Sequence, residues 1–200
     1  MLNAKEMGKS RTSIRKLVVI AMLSSISIFL GLSGLGFIVL PAFKLTIMHV
    51  PVIIGAILEG PVVGAAVGLM FGLFSMYQAV TAPTLTSFVL LNPLVSVLPR
   101  ILIGIVAYYS YRALLKTIKK PKISIGISAI LATFTNTVGV LGMTYILYLE
   151  KYAQALDISP SAVGTTLIGV ASTNGLLESI ASALITVPVI MGVLKIQRKR

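Results

Sequence analysis

Long apolar runs separated by short polar segments make up most of this 200-residue chain. A helix needs about 20 apolar residues to cross a bilayer at 1.5 Å rise per residue, so each run predicts a membrane span. Glu59, Gly60 and Pro61 divide one run, which favours two short spans over one span with a buried glutamate. The predicted spans are residues 17–40, 47–58, 62–76, 94–111, 123–149 and 165–194. The pattern predicts an all-α integral membrane protein, a six-helix transmembrane bundle forming one domain over residues 1–200.

Composition supports the membrane class. Hydrophobic residues make up 56% of the chain and charged residues only 11%, whereas a soluble domain carries about 25% charged residues. The net charge of +12 does not predict a nucleic-acid partner, because the basic residues lie at the ends of apolar runs instead of lining a polar domain. The chain has no cysteine and one histidine, so we predict no disulfide, no metal site and no cofactor.

Fourteen of the 17 Lys and Arg residues fall in three clusters. They are Lys5, Lys9, Arg11, Arg15 and Lys16, then Arg112, Lys116, Lys119, Lys120 and Lys122, then Lys195, Arg198, Lys199 and Arg200. Cytoplasmic loops of membrane proteins carry such an excess. Six spans put both termini and the connection between spans four and five on one side, where these clusters lie. We therefore predict a multi-pass protein of the plasma membrane, surrounded by the lipid bilayer, with residues 1–16 and both termini cytoplasmic.

Several strongly polar residues fall within or beside the apolar runs. Such residues are costly at membrane depth and usually face a protein interior or cavity. An arginine fork can hold a carboxylate in a bidentate pair, and asparagine amides can bond hydroxyls or amides. The candidates are His49, Asn92, Arg100, Asn136, Asn174 and Glu178. Together they predict an outward-facing site for a small, multiply polar anion.

Each candidate also has a structural explanation. Arg100 and Glu178 can neutralise one another, since buried charges are usually paired. The asparagines of spans five and six can bond neighbouring helices, as polar residues do in membrane bundles. His49 stands at the start of a span, where an interfacial position is common, and Tyr77 lies where interfacial aromatic belts occur. The residues alone leave these alternatives open.

Small residues recur at four-residue spacing in two predicted spans. Ala21 and Ser25 form one pair, and Gly64, Gly68 and Gly72 form a longer series. Such positions let helices approach closely in lipid. They indicate packing within the chain or, if they face outward, a docking surface for another membrane protein.

The segment RKLVVIAMLSS carries a basic stretch into the pair Ala21 and Ser25. Three further motifs are TIMHVPVIIGAILEGPVVGAAVGLMFGL (46–73), LNPLVSVLPRILIG (91–104) and NGLLES (174–179). In these motifs, which extend over nearly the whole chain, the protein resembles the substrate-binding S components of energy-coupling factor (ECF) vitamin transporters. The family's usual second small residue is alanine, so Ser25 is a mild departure.

The resemblance implies a binding protein with no enzymatic activity or ATP site of its own. Its partners would be a vitamin, a transmembrane coupling protein and two ATPase subunits. Ala21 and Ser25 would then form the docking face for the coupling protein. The loops at residues 34–46 and 77–92 would close the binding pocket.

Within that family, MHVPVIIGAI and the arginine of LPRILIG resemble the pantothenate-specific members most. The resemblance implies that Arg100 binds the pantothenate carboxylate, with Asn136 and Asn174 bonding its hydroxyls and amide. The aromatic residues expected to cover its dimethyl group are Phe37, Phe43 and Tyr77. Folate and riboflavin are the alternative vitamins, although riboflavin calls for more aromatic stacking.

Two other functional classes are compatible with a polytopic chain. A proton- or ion-coupled secondary transporter would use Glu178 as the carboxylate that changes protonation; the chain lacks the internal repeat that many such folds show. An intramembrane enzyme would need a positioned nucleophile and base or a metal cluster. With one histidine and no cysteine, we predict no enzymatic activity.

Overall fold

The computed structural model describes residues 4–39 and 44–197, with side chains described for 14–37 and 46–197. Its helices are α1 (Ala4–Leu32), α2 (Val50–Glu59), α3 (Pro61–Thr81), α4 (Pro93–Ser96), α5 (Leu98–Ile118), α6 (Pro121–Leu156), α7 (Pro160–Val170) and α8 (Leu176–Gln197). A 3₁₀ helix spans Ser87–Leu91, and a π-helical turn, Ala171–Gly175, joins α7 to α8. The strands β1 (Phe37–Val39) and β2 (Lys44–Thr46) form a short antiparallel hairpin.

Five helical stretches within the described residues are long and apolar enough to cross a membrane. They are Ile14–Leu32, Pro61–Thr81, Pro93–Ile118, Pro121–Leu156 and Pro160–Gln197. The second predicted span corresponds to α2, whose ten residues extend about 15 Å, less than a bilayer core. The helical class is confirmed, with five long apolar helices and one short one among the described residues. The count of six crossings stays a prediction.

The first apolar run does not stay helical to residue 40. α1 ends at Leu32, and Gly34 follows with φ +76°, a conformation that residues with a Cβ rarely adopt. The Ser33 hydroxyl donates to the Phe29 carbonyl oxygen at 2.7 Å, which satisfies one of the last helical carbonyls. The chain then enters the hairpin, so the prediction that the first span runs to residue 40 is wrong.

The predicted break after Glu59 is confirmed. α2 ends at Glu59, Gly60 has φ +105°, and Pro61 begins α3. The Glu59 carboxylate accepts a hydrogen bond from Arg15 Nη2 at 2.5 Å. The glutamate thus lies in an ion pair at a helix end.

α3 continues five residues beyond the predicted end of its span. The helix runs to Thr81, so the loop predicted over 77–92 begins only at residue 82. Two polar side chains that suggested a loop are accommodated by hydrogen bonds. Gln78 Nε2 donates to the Gly31 carbonyl oxygen at 3.3 Å, and the Thr81 hydroxyl donates to the Tyr77 carbonyl oxygen at 3.0 Å.

The glycine series of α3 packs against the neighbouring helices, as predicted. A Cβ at Gly68 would overlap the carbonyl oxygen of Arg100, and one at Gly72 would lie 2.7 Å from Val97 Cα. α3 therefore lies against the first turns of α5 at backbone contact, which only residues without a side chain allow. This contact fixes the height at which Arg100 emerges from α5.

The described residues of the three basic clusters lie at one end of the bundle. Arg15 pairs with Glu59 beside the turn between α2 and α3, and the connection between α5 and α6 lies at the same end. α8 runs antiparallel to α6, with Gly126 beside Val187, so Lys195 also lies there. We call this the basic end; the hairpin, the end of α3 and the start of α5 form the opposite end.

Candidate functional site

A cavity of about 600 Å³ opens at the end of the bundle opposite the basic end. We call it the polar cavity. Its polar lining residues are Ser33, Thr46, Ser75, Gln78, Thr84, Ser87 and Arg100. Both segments predicted to close a pocket, 34–46 and 77–92, contribute to this lining. Its volume is typical of small-molecule sites.

Arg100 is the cationic side chain of this lining. It is only 7% exposed, and its guanidinium carbon lies 5.6 Å from the centre of the Phe71 ring. Nη1 donates to the Val95 carbonyl oxygen at 2.7 Å. Within the described residues, its buried Nε has no hydrogen-bond partner and no carboxylate lies within 4.0 Å of it. A buried charge in this situation favours binding of an anion.

The backbone of Arg100 is held from two sides. Gly68 of α3 contacts its carbonyl group, and the preceding Pro99 packs against Gly139 of α6, where an added Cβ would lie 2.9 Å from Pro99 Cβ. These contacts leave the first turn of α5 little freedom to shift. Such rigid support is what a binding group needs to meet a ligand in one geometry.

Glu178 does not form a contact ion pair with Arg100. The two charges act on each other electrostatically, but in the described part of the chain the only N···O contact within 4.0 Å joins Arg15 to Glu59. Glu178 Oε1 instead accepts the Thr46 backbone N–H at 2.8 Å. The structure therefore shows no direct ion pair between Arg100 and Glu178.

His49 lies in the core and not at an interface, because packing of α2 against α6 encloses it completely. Its Nε2 lies 3.0 Å from the Thr133 hydroxyl, and that hydroxyl donates to the Ala129 carbonyl oxygen at 2.8 Å. Because the Thr133 hydroxyl proton is used in the bond to Ala129, His49 Nε2–H donates to Thr133 Oγ1. The interfacial explanation of His49 is wrong.

The two asparagines lie outside the lining of the polar cavity. Asn136 is buried on α6, about one helical turn beyond Thr133, and Asn174 lies in the π-helical turn Ala171–Gly175. The Oδ1 atoms of both are buried and have no hydrogen-bond partner among the described residues. Turns of this kind often occur at functional sites. The substrate-binding role of the asparagines remains a prediction.

Asn92 has a structural task that the sequence did not reveal. Its Oδ1 accepts the Leu94 backbone N–H at 3.0 Å and caps α4, while Nδ2 donates to the Tyr148 hydroxyl at 3.1 Å. Tyr148 occupies a kink in α6, with φ −134° and ψ 17°. Because both ends of the amide are used, Asn92 connects the loop after α3 to α6.

The predicted aromatic residues divide into three cases. Phe37 lines the polar cavity. Tyr77 is 56% exposed on the outer face of α3 and is not part of the described lining. Phe43 lies outside the described residues.

Sequence reasoning missed the cavity face of α3. Phe71, Ser75 and Gln78 all line the cavity, and their spacing of four and three residues places them on one side of a helix. That periodicity could have identified them, but the loop was predicted to begin at residue 77. Thr84 and Ser87, joined by hydrogen bonds of 2.8 Å, were missed because loop positions carry no such periodicity.

The small pair of α1 faces outward. Ala21 and Ser25 are both exposed. On another face of α1, the helices α1, α2 and α8 enclose a groove of about 360 Å³, with Glu59 and Gln197 as its only polar lining residues among those described. This groove lacks the hydrogen-bonding groups that a polar ligand needs, whereas the polar cavity supplies them.

Residues 15–190 match the family of substrate-specific components of ECF transporters. The chain belongs to this family. It is similar to the pantothenic acid transporter PanT of Lactococcus lactis subsp. cremoris, with 30% identity over 76% of this chain and 79% of the relative. It is also similar to the pantothenate transporter PanT of Leuconostoc mesenteroides, with 31% identity over 84% of this chain and 83% of the relative.

Membership of this family explains why the chain has long apolar helices. The five long helices belong to a multi-pass membrane protein of a transporter family. The family and both relatives are transporters, which agrees with the prediction that the chain is not an enzyme.

Proposed function

We propose that this ECF S component binds pantothenate in the polar cavity. The observation that carries the proposal is Arg100, a buried arginine that lines the cavity and has no carboxylate within 4.0 Å among the described residues. The names of the two PanT relatives support the same ligand. Pantothenate carries one carboxylate, which a single arginine fork can hold in a bidentate pair.

The rest of the lining suits the other groups of pantothenate. Ser75, Gln78 and Ser87 offer hydroxyl and amide groups to the hydroxyls and amide of the ligand. Phe37 and Phe71 offer apolar surface to its dimethyl group. Asn136 and Asn174 come second as ligand contacts, because they lie outside the lining.

The other candidates find less support. Folate carries two carboxylates, whereas Arg100 is the one cation among the described lining residues. Riboflavin favours aromatic stacking, and the aromatic residues of that lining are two phenylalanines. For ion-coupled transport, Glu178 is the required carboxylate, but its Oε1 already accepts the Thr46 N–H.

We further propose that an ATP-driven module completes transport. A transmembrane coupling protein would dock on the exposed face of α1 at Ala21 and Ser25, and two ATPase subunits would supply the energy. The basic end would face the cytoplasm with both termini, and the polar cavity would open to the outside.

The test is titration calorimetry of the detergent-purified chain with pantothenate. Arg100→Gln removes the charge and should weaken binding at least about 30-fold, because removing one partner of a buried charge pair costs about 2–5 kcal/mol. Arg100→Lys keeps the charge without the fork and should fall between the two. Arg112→Gln is the matched control, since it removes a positive charge from the same helix at an exposed position far from the cavity.

Unchanged affinity in a folded Arg100→Gln variant would contradict the proposed site. Mass spectrometry of small molecules released from the purified protein identifies the vitamin independently. A different vitamin would keep the functional class and replace pantothenate.

A further inference from the structure

A hydrogen bond connects β2, which forms part of the wall of the polar cavity, to α8. Thr46, the last residue of β2, donates its backbone N–H to Glu178 Oε1 at 2.8 Å, across 132 residues of sequence. Thr46 lines the cavity, and so does its strand partner Phe37. A movement of Thr46 away from α8 would therefore move the cavity wall.

The hairpin itself is short and needs outside support. It has three paired positions, and a two-stranded hairpin is marginally stable on its own in water. Two nearby hydrogen bonds join its flanks: Ile47 N–H donates to the Gly36 carbonyl oxygen at 2.9 Å, and the Ser27 hydroxyl donates to the Met48 carbonyl oxygen at 3.1 Å. Both connect the hairpin to its own base or to α1. The bond to Glu178 connects the hairpin to a different helix, α8.

The chemistry of this connection favours a carboxylate. A hydrogen bond from a backbone N–H to an ionised carboxylate is stronger than one between neutral groups. Glu178 is only 8% exposed. Two described groups act on its carboxylate: the neutral Thr46 N–H, by hydrogen bonding, and Arg100, by its charge. Arg100 thus supports the carboxylate from a distance and keeps its own guanidinium toward the cavity.

From this geometry we infer that Glu178 is a positioning residue that holds β2 over the polar cavity and thereby sets the rate at which the bound ligand leaves. This inference rests on the proposed function, because the ligand is the anion bound at Arg100. Glu178 acts through Thr46 and does not contact the ligand. Loss of the hydrogen bond opens the wall more often, so dissociation accelerates more than association changes.

The test uses the full-length purified chain with three variants. Glu178→Ala removes the acceptor, Glu178→Gln keeps an acceptor oxygen on a side chain of the same size, and Ser182→Ala changes a buried residue one turn further along α8 as the control. The first readout is amide hydrogen exchange of the peptide covering residues 44–48, measured without ligand. The second is the dissociation rate of radiolabelled pantothenate.

We expect Glu178→Ala to raise exchange at residues 44–48 and the dissociation rate by about tenfold or more, as loss of a charge-assisted hydrogen bond implies. Glu178→Gln, which keeps a neutral acceptor, should restore part of both values, and Ser182→Ala should change neither. Exchange that stays at the wild-type rate in Glu178→Ala overturns the inference. Equal loss of affinity in both Glu178 variants with unchanged exchange also overturns it, because Glu178 would then contact the ligand.

The two readouts separate this inference from the proposed function. Absence of pantothenate binding by the wild-type chain overturns the proposed function and, with it, the role of Glu178 in pantothenate release. Raised exchange in Glu178→Ala would still establish the hydrogen bond that holds β2. If Glu178→Ala does not yield folded protein, a smaller rise of exchange in Glu178→Gln supports the inference and an unchanged rate contradicts it.

Discussion

The same sequence feature, small residues four positions apart, has opposite surroundings in α3 and α1. In α3, Gly68 faces inward and lies at backbone contact with Arg100 of α5. In α1, Ala21 and Ser25 face outward. The two helices differ in the same way: 50% of the apolar stretch of α3 is buried, but only 17% of the apolar stretch of α1.

The difference separates a supporting helix from a peripheral one. α3 fixes the turn of α5 that carries Arg100, so its glycines contribute to the binding site although none of them bonds a ligand. α1 contributes its last turn to the polar cavity and leaves most of its surface uncovered. Small-residue spacing thus predicts close helix approach but does not tell whether the partner helix belongs to the same chain.

Gly68→Val should have the largest effect, because it disrupts the backbone contact between α3 and α5. Its side chain would overlap the backbone carbonyl of Arg100, which cannot move aside as a flexible side chain can. We expect about 3 kcal/mol of destabilisation or loss of folded protein, with loss of pantothenate binding. Thermal unfolding of the purified variant and calorimetry check this.

Gly192→Ala is the matched control, since nothing lies within 4 Å of a Cβ at that helical position. It should leave binding unchanged and alter stability by no more than about 1 kcal/mol, in the stabilising direction expected for alanine in a helix. Equal damage from both substitutions would show that α3 packs no more tightly than other helices.

Ala21→Trp tests whether the exposed face of α1 is a docking surface. A bulky side chain on an exposed face should leave the fold and pantothenate binding intact, yet prevent close approach of a coupling protein. Uptake by cells that carry the complete transporter should fall to background. Leu184→Trp, at another exposed position, should leave uptake near the wild-type rate; normal uptake in the Ala21 variant would disprove the docking face.

Glu59→Gln should have the smallest effect. The Arg15–Glu59 pair ties α1 to the turn between α2 and α3, but the Arg15 side chain is 63% exposed, and such pairs contribute about 0.2–1 kcal/mol. A double-mutant cycle with Arg15→Gln, read by thermal unfolding, measures the coupling. A value well above 1 kcal/mol would show that α1 is attached more firmly than its burial indicates.

Local sequence signals predicted the helices well. Apolar runs found the long helices, and Glu59-Gly60-Pro61 marked a true turn, because hydrophobic length and backbone preference act over a few residues. Polarity misled at the end of α3, where Gln78 bonds the Gly31 carbonyl across 47 residues of sequence. The hairpin was missed because its position depends on contacts such as Thr46 with Glu178, which no local pattern encodes.

The candidate site was predicted unevenly for the same reason. Arg100 was found because a buried charge in an apolar run is conspicuous by itself. Asn92 was predicted to contact the ligand, and its structural bonds, which cap α4 and reach Tyr148, could not be predicted. Telling a ligand contact from a structural bond requires knowing which groups meet in space.

The most direct test compares pantothenate with pantothenyl alcohol, in which a neutral hydroxyl replaces the carboxylate, by calorimetry on the wild-type chain and on Arg100→Gln. If Arg100 binds the carboxylate, the wild-type chain should prefer pantothenate by at least about 30-fold, and Arg100→Gln should lose most of that preference. Equal affinity of the wild-type chain for both compounds, or an unchanged preference in the variant, would contradict the account.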